Sequence, residues 1–325
     1  MRIAFQTLAI IPFFLIGILF SCQSSPKKNK ESVPANLPDT FISILGIAQD
    51  AGYPQAGCQK ACCAAYYNGK ETKKLVTSLT LVDRLKKQYW LFEASPDMGE
   101  QLNRVQQYTD SSWPSLPAGV FITHAHIGHY SGLMQLGREV MGTKDVPVYV
   151  MPRMDSFIRN NGPWSQLVNL NNIQLRPLVE DSLQRIEHSF TIRAIRVPHR
   201  DEFSETVGFI IQSEKKKVLF IPDIDKWEKW DRDIIQLIRE VDIALIDGTF
   251  YQDGELPGRN MSEIPHPFVA ESLQRFSSLP SEEKAKIIFI HFNHTNPLLK
   301  LKSAEKEQVK KTGMGVAEEG MIISL

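Results

Sequence analysis

The stretch that decides the fold is Thr123-His124-Ala125-His126-Ile127-Gly128-His129, which holds three of the chain's eight histidines. It directly follows the apolar run Val120-Phe121-Ile122, and another apolar segment, 132–136, comes shortly after it. This order predicts a buried strand, a tight loop and then a helix near residues 131–141. Imidazole is the commonest side-chain metal ligand near neutral pH, so the loop predicts a metal site at a strand end. The alternative is a histidine-rich surface loop, or histidines that form core hydrogen bonds.

The balance of charges limits the classes of partner. The chain of 325 residues has 37 basic and 37 acidic residues, and 42% of its residues are apolar. This composition supports a substantial core, while the neutral formal charge gives no field that would attract nucleic acid to the whole surface. We therefore expect a globular protein that acts on a small molecule and does not bind nucleic acid.

The beginning of the chain predicts export. Arg2 precedes the nearly continuous apolar run Ala4 to Phe20, which suits the core of a signal peptide and is short for a membrane span. The run ends at Leu19-Phe20-Ser21-Cys22, which resembles the bacterial lipobox, whose cysteine is lipidated. Three regions follow from this interpretation: a lipoprotein signal peptide over 1–22, a disordered tether over 23–40 and a folded domain over 41–325. The protein would then be anchored through Cys22 to a bacterial membrane, facing the periplasm or the exterior. An uncleaved anchor or an ordinary cleaved signal would also export it.

Further potential ligands follow other predicted strands. His199 comes after the strand predicted over 190–197, Asp223 after 217–221, and His291 after 287–290. Packed sheets bring the loops at their strand ends to a shared rim, where residues distant in sequence can meet. We therefore expect these side chains to converge with the histidine loop on one metal centre.

The cysteines predict a second site. Cys58, Cys62 and Cys63 remain after Cys22, and an odd number cannot all pair within one exported chain. One interpretation is a disulfide with one free thiol. The other is a structural zinc ion held by three thiolates and a histidine from elsewhere, since structural zinc takes four nitrogen or sulfur ligands.

The order of these motifs resembles the metallo-β-lactamase superfamily, whose signature is His-x-His-x-Asp-His after a strand, then a lone histidine, an aspartate and a last histidine. Four segments are more particularly similar to the coenzyme PQQ biosynthesis protein B family: Gly52-Tyr53-Pro54-Gln55, Ala94-Ser95-Pro96-Asp97, Gly132-Leu133-Met134-Gln135-Leu136-Gly137-Arg138-Glu139 and His291-Phe292-Asn293-His294-Thr295-Asn296-Pro297. The resemblance implies an α/β (α+β) fold, a four-layer αββα sandwich, from Phe41 to the C-terminus. It also implies a metal-dependent protein related to hydrolases, with a cysteine-rich zinc loop apart from the active site.

The resemblance also implies an allocation of ligands. A first metal ion would be held by His124, His126 and His199, with Asp223 bridging it to a second ion held by His129 and His291. The signature aspartate is Gly128 here, which removes a carboxylate from the second site. We therefore predict one tight metal ion and one weak or absent ion, with Asp201 or Glu202 as candidate substitute ligands.

The cysteine loop lacks one ligand for a closed tetrahedral zinc site. His294 lies three residues after His291, so it could serve either site. We assign His294 to Cys58, Cys62 and Cys63, because His291 already serves the active site.

The chemistry follows from the metal ion. A bound divalent ion lowers the pKa of its water from about 16 to about 7 and so provides a hydroxide at neutral pH. We expect Asp223 to orient this hydroxide and take up its proton, and Tyr130 or His266 to stabilise the developing oxyanion. The main hypothesis is a zinc-dependent hydrolase that acts on an ester, amide, lactone or phosphodiester. Two alternatives stay open. An imidazole-rich site also suits iron and the oxidation of an aromatic or quinone-precursor substrate in PQQ-type biosynthesis, and Gly128 is compatible with a non-catalytic binding module.

Overall fold

The structure of the protein is a computed structural model that describes residues 36–187 and 189–325. The predicted signal peptide 1–22, with Cys22, and residues 23–35 of the predicted tether lie outside the described residues. Within the described ranges, no helix has the length and apolar character needed to cross a bilayer.

Two seven-stranded sheets form the centre of the described part of the chain. In chain order its strands are β1 (Thr40–Gly46), β2 (Ser78–Asp83), β3 (Gln88–Phe92), β4 (Gly119–Phe121), β5 (Val146–Val150), β6 (Ile173–Pro177), β7 (Leu183–Ile186), β8 (Phe190–Arg196), β9 (Val207–Gln212), β10 (Lys217–Ile221), β11 (Ile243–Asp247), β12 (Ile287–Ile290), β13 (Gly315–Val316) and β14 (Ile322–Ser324). The first sheet has the order β14-β1-β2-β3-β4-β5-β6, and the second has the order β13-β12-β11-β10-β9-β8-β7. Neighbouring strands are parallel from β3 to β6 and from β10 to β13.

The first sheet is buried on both faces, as the apolar run in β3 illustrates. Trp90 and Phe92 belong to the core shared with the second sheet, whereas Tyr89 and Leu91 belong to the core on the opposite face. Successive side chains of a strand point to opposite faces, so a strand that is apolar at each of these positions needs cover on both sides.

Helices supply that cover. The α-helices of the described residues are α1 (Ala61–Tyr67), α2 (Met98–Val105), α3 (Ile127–Tyr130), α4 (Pro152–Asn160), α5 (Trp164–Asn169), α6 (Ile234–Glu240), α7 (Val269–Arg275), α8 (Ser281–Lys284) and α9 (Ala304–Lys311). Met98, Ile158 and Leu167 of α2, α4 and α5 pack in the outer core of the first sheet. Leu237 and Val269 of α6 and α7 pack in the core that includes the second sheet. The predicted αββα sandwich is confirmed.

The helix predicted near residues 131–141 is shorter in the structure and is of the 3-10 type. The segment Ser131–Leu136 forms a 3-10 helix, and turns follow it. Gly132 donates a backbone hydrogen bond to Ala94 at 2.8 Å, and a Cβ on Gly132 would lie 2.0 Å from the backbone oxygen of Ser95. Position 132 is therefore held in close backbone contact with the loop after β3, which leaves no room for a side chain at that position.

Acidic residues and a histidine that are potential metal ligands lie at or just after the carboxyl ends of the parallel strands. In the second sheet, β10 leads to Asp223, β11 ends at Asp247, and β12 leads to His291. The two sheets meet at this edge, where Ala48, just after β1, forms a parallel bridge with Phe292. Side chains from both sheets can therefore approach one another there.

Candidate metal centre

The histidine loop runs from the end of β4 into α3 and turns its imidazoles towards one another. His124 is 1% exposed, His129 is fully buried, and the His126 side chain is 12% exposed. The ring of His124 lies 4.4 Å from the ring of His126 and 4.1 Å from the ring of His129. The three imidazoles therefore form one cluster inside the edge of the sandwich.

Four side chains from the two halves of the chain form the first group of potential ligands: His124, His126, His199 and Asp223. One ligand atom from each lies within 4.8 Å of all the others. Nε2 of His124 and Nε2 of His199 are each 3.3 Å from a carboxylate oxygen of Asp223. Ligand atoms of a tetrahedral zinc ion with bonds of about 2.0–2.1 Å are about 3.4 Å apart. These two contacts, which go to Oδ2 and Oδ1 of Asp223 respectively, are close to that spacing, whereas Nε2 of His124 lies only 2.8 Å from Nδ1 of His126.

Buried atoms without hydrogen-bond partners test whether a metal fits here. Among the described residues they include Nε2 of three imidazoles and Oδ1 of two carboxylates, on His129, His199, His291, Asp50 and Asp223. An unsatisfied buried polar group destabilises the fold by about 1–3 kcal/mol. Several such nitrogen and oxygen atoms at one place therefore need a shared binding partner. Nitrogen and carboxylate donors are ligands of zinc and of other divalent transition metals. The residues therefore fit a metal centre.

A second group consists of Asp50, His129 and His291. Nε2 of His129 lies 3.1 Å from Oδ1 of Asp50 and 3.6 Å from Oδ2 of Asp223. The same Oδ2 of Asp223 is 3.3 Å from Nε2 of His124, so this carboxylate faces both groups. The expectation that the second site has two imidazoles and the bridge alone omitted Asp50, which lies on the loop after β1.

The two acidic residues considered as substitutes for the signature carboxylate lie elsewhere. Asp201 accepts hydrogen bonds from Arg196 and Thr206. The Glu202 carboxylate lies 3.3 Å from Nε2 of His126, so it contacts a member of the first group. Neither belongs to the second group.

A hydrogen-bonded relay determines which nitrogen of His124 carries the proton. Oγ1 of Thr123 donates to the carboxylate of Glu93, and it lies 2.9 Å from Nδ1 of His124. Because a carboxylate accepts, the hydroxyl uses its single proton there and accepts the Nδ1 proton of His124. Nε2 of His124 therefore keeps its lone pair for a metal. Glu93 also lies 3.1 Å from Nδ1 of His129, so one buried carboxylate supports both groups.

The second sheet repeats this arrangement. Oγ1 of Thr249 donates to Oδ1 of Asp247 at 2.7 Å and accepts from Nδ1 of His291 at 2.9 Å. By the same reasoning, Nε2 of His291 keeps its lone pair. Oδ2 of Asp247 lies 2.8 Å from Nδ1 of His266, which is 3.2 Å from Oδ1 of Asp223. The structure thus places His266, predicted to be catalytic, beside the first group.

Burial and neighbouring charges shift the pKa values of these groups. Burial by itself raises the pKa of Asp223, but His199 and His266 outweigh it and hold the pKa well below its ordinary value. Burial lowers the pKa of His266, whereas Asp247 and Asp223 raise it, with a net value of about 9. For His291 burial dominates, and the pKa falls to about 4. These shifts favour the ionised form of Asp223, the cationic form of His266 and the neutral form of His291.

Two residues of the centre have left-handed backbones. Glu93 follows β3 with φ of 79°, and His291 follows β12 with φ of 69°. This conformation costs a residue other than glycine about 1–2 kcal/mol, and it is typical of functional sites, where the surroundings hold the residue in place. Here those surroundings are the relay contacts with Thr123 and Thr249.

The cysteine loop forms a separate group with His294. Cys58, Cys62 and Cys63 are free thiols, which contradicts the alternative interpretation of a disulfide. The sulfurs of Cys58 and Cys62 are 3.7 Å apart, and Nδ1 of His294 lies 3.5 Å and 3.3 Å from the sulfurs of Cys62 and Cys63. Tetrahedral zinc with Zn–S bonds of about 2.3 Å separates such ligands by about 3.5–3.8 Å. Burial raises the pKa of the Cys63 thiol to about 12, so zinc binding would have to displace its proton.

The predicted catalytic role of Tyr130 finds no support in its contacts. Its ring packs against Phe157 and Trp164, with centroids 5.4 Å and 4.8 Å away. Phe203 extends this aromatic cluster (Tyr130, Phe157, Trp164 and Phe203) at 5.5 Å from Phe157. Tyr130 therefore packs beside the centre and has no chemical step in the proposed mechanism.

Five acidic and hydroxyl residues of the centre were not predicted from the sequence: Asp50, Glu93, Thr123, Asp247 and Thr249. All except Asp50 lie at the carboxyl end of a strand or just after it, so the signal that identified the histidines could have identified them. Asp50 lies farther along the loop after β1, where this signal is absent.

Comparison with known proteins agrees with this fold. The sequence model of the family described as "Beta-lactamase superfamily domain" matches residues 89–292, more than half of the chain. The chain belongs to the beta-lactamase superfamily. This beta-lactamase superfamily protein is 26% identical over 316 residues to Coenzyme PQQ synthesis protein B of Klebsiella pneumoniae (strain 342), and the alignment covers 88% of this chain and 98% of that protein.

Two solved structures have a similar fold. The crystal structure of Zn(2+)-bound PqqB from Methylobacterium extorquens matches with a TM-score of 0.76 and 20% identity, over 88% of this chain and 100% of that one. A diphosphatase from the PhnP family matches with a TM-score of 0.61 and 18% identity, over 87% and 96%. The predicted resemblance to the metallo-β-lactamase superfamily and to the PQQ biosynthesis protein B family is confirmed.

Proposed function

We propose that this chain is a metal-dependent hydrolase whose first metal ion is bound by His124, His126, His199 and Asp223. One observation carries the proposal: ligand atoms of these four residues lie within 4.8 Å of one another, and Nε2 of His199 and Oδ1 of Asp223 are buried without hydrogen-bond partners. Imidazole and carboxylate donors at this spacing suit zinc. The zinc-bound neighbour and the diphosphatase neighbour support both the metal and the reaction class.

The residues around the site have separate roles in hydrolysis. A divalent ion held by these four residues would supply an activated water and would polarise the substrate's carbonyl or phosphoryl oxygen. Asp223, which faces both groups, would orient the attacking water and accept its proton. His266 lies between the carboxylates of Asp247 and Asp223, which favour its cationic form, and its charge stabilises the developing oxyanion. Thr123 keeps His124 in the tautomer that binds metal.

Exposed apolar side chains beside the centre provide a surface for the substrate. Ile127 is 65% exposed and follows His126, and Phe203 is 59% exposed and follows Glu202, which contacts His126. Large apolar side chains beside a few convergent polar groups are typical of small-molecule sites. We propose that Ile127 and Phe203 contact the apolar part of the substrate, which is a small ester, amide, lactone or phosphodiester.

Metal analysis combined with hydrolysis assays tests this function. Full-length protein is analysed for zinc and assayed with p-nitrophenyl esters and with bis(p-nitrophenyl) phosphate, in parallel with His126→Ala. We expect wild-type protein to hydrolyse at least one of these classes, and His126→Ala to lose about one zinc ion together with turnover. A His126→Ala protein with wild-type zinc content and turnover would refute the proposal.

The similarity to proteins named Coenzyme PQQ synthesis protein B favours a second candidate function. Imidazole-rich sites also bind iron, so the same residues could support oxidation of an aromatic or quinone-precursor substrate. Iron that is lost in His126→Ala would favour this oxidation over hydrolysis. A protein that binds no metal at the first group would instead favour a non-catalytic binding module.

We also propose that the protein is exported and anchored to a membrane through a lipid on Cys22. The apolar run Ala4 to Phe20 and the small residue Ser21 before Cys22 support this location. Fractionation of bacterial cells that express wild type and Cys22→Ser tests it. We expect wild-type protein in the membrane fraction and the variant in a soluble fraction, and equal distribution of the two would contradict lipidation.

A further inference from the structure

Gly128 stands where the superfamily signature has an aspartate, and its lack of a side chain has a structural reason. A Cβ on Gly128 would lie 2.1 Å from Oδ1 and 2.5 Å from Cα of Asp50. Real Cβ atoms essentially never approach another heavy atom within 3.0 Å. Asp50 therefore fills the space that a side chain at position 128 would need.

Backbone pairing between the two sheets holds Asp50 at this place. The N–H of Gln49 donates to the carbonyl oxygen of Phe292, and the N–H of Phe292 donates to the carbonyl oxygen of Ile47, both at 2.8 Å. Asp50 directly follows Gln49, and His291 directly precedes Phe292. The pairing therefore keeps the Asp50 loop against the end of β12, next to His291.

The carboxylate of Asp50 has the surroundings of a metal ligand. Its Oδ1 is buried without a hydrogen-bond partner, although it lies 3.1 Å from Nε2 of His129. Nε2 of His129 and Nε2 of His291 are buried and without partners as well. Asp223, whose Oδ2 is 3.6 Å from Nε2 of His129, adds a second carboxylate. Two imidazoles and the Asp50 carboxylate thus converge on one position, and the Asp223 carboxylate faces His129 from the first group.

We propose that Asp50 is a ligand of a second divalent metal ion, and that it replaces the signature carboxylate from a different part of the chain. His129 and His291 complete this site, and Asp223 connects it to the first. The donor set suits zinc and other first-row divalent ions. The inference rests on the proposed function for the first ion. It replaces the sequence-based prediction of one tight ion and one weak or absent ion.

Zinc stoichiometry of full-length variants tests the assignment. Metal-free protein is reconstituted with zinc, desalted and analysed. We expect about three zinc ions per wild-type chain, including one at the cysteine group, and about two in Asp50→Asn. His126→Ala should also lose one ion, but a different one, so the double variant Asp50→Asn/His126→Ala should retain about one. Gly128→Ala, which displaces Asp50, should match Asp50→Asn.

A second carboxylate variant is the matched control. Asp201→Asn removes a carboxylate that belongs to neither group of potential active-site ligands, and it should keep about three zinc ions. Thermal unfolding of the metal-free proteins identifies any variant that does not fold. The zinc content of the folded variants then tests whether Asp50 is a ligand. About two zinc ions in wild type, or about three with unchanged affinity in a folded Asp50→Asn, would overturn the assignment. A wild-type protein that binds three ions and hydrolyses nothing would refute the hydrolase function while supporting this ligand.

Discussion

Replacing Thr123 by valine removes one buried hydroxyl with little change in side-chain shape. In the native protein that hydroxyl accepts the Nδ1 proton of His124 at 2.9 Å. In Thr123→Val this N–H would be buried, because His124 is 1% exposed, and it would lose its acceptor. The cost is about 1–3 kcal/mol. The imidazole can avoid this cost by moving its proton to Nε2, where the proton blocks the metal.

Either outcome weakens the first metal site by a predictable amount. Since 1.4 kcal/mol corresponds to a factor of ten, zinc affinity at the first site should fall about 5- to 150-fold. This range agrees with the losses of about 10- to 100-fold that follow when the hydrogen-bond partner of a metal-binding histidine is removed. The fold should be retained, because Glu93 keeps its contact with Nδ1 of His129.

Competition with a chromophoric chelator measures the effect. Metal-free protein is titrated with zinc in the presence of the chelator, and the first-site step is identified as the one missing from His126→Ala. Thr123→Ser keeps the hydroxyl and is the matched control, with an expected affinity close to that of wild type. Unchanged affinity in Thr123→Val, or an equal loss in the serine variant, would refute the relay.

Three further predictions address separate parts of the molecule. Cys58→Ser should lose about one zinc ion and unfold at a lower temperature while first-site affinity stays the same, because the two groups share no ligand; an unchanged melting temperature and zinc content would contradict a structural zinc. His266→Asn should lower kcat about 10²- to 10³-fold at unchanged zinc content, because asparagine cannot carry the charge that stabilises the oxyanion. Steady-state kinetics that match wild type would exclude that role. Phe203→Ala should raise KM for substrates with an apolar group and leave kcat unchanged, since it removes uniform binding. If KM does not change, the substrate binds elsewhere.

The histidines of the centre were predictable because their signal is local. His124, His126 and His129 lie within one short loop after an apolar strand, and His199 and His291 each follow an apolar strand. An apolar run that ends at a potential ligand can be recognised without knowledge of the sheet order. The structure brings these side chains together because the two sheets meet at that edge.

Asp50 and Tyr130 illustrate what the sequence alone could not provide. The position of Asp50 depends on pairing between segments far apart, such as the hydrogen bond between Gln49 and Asn293, which are 244 residues apart. No local pattern specifies that register. Tyr130 directly follows His129 on α3, where successive side chains point about 100° apart. The ring of Tyr130 therefore points in a different direction from that of His129, and it packs in the aromatic cluster.

The bridge between Ala48 and Phe292 has a consequence for the order of events during synthesis. Translation proceeds from the N-terminus, so Asp50 and the histidine loop emerge from the ribosome long before β12 and His291. The second site is therefore incomplete until nearly the whole chain has been made and the two sheets have docked. An ion at the second site therefore cannot organise the early fold, and the apolar layer between the sheets must hold the chain together until that ion binds.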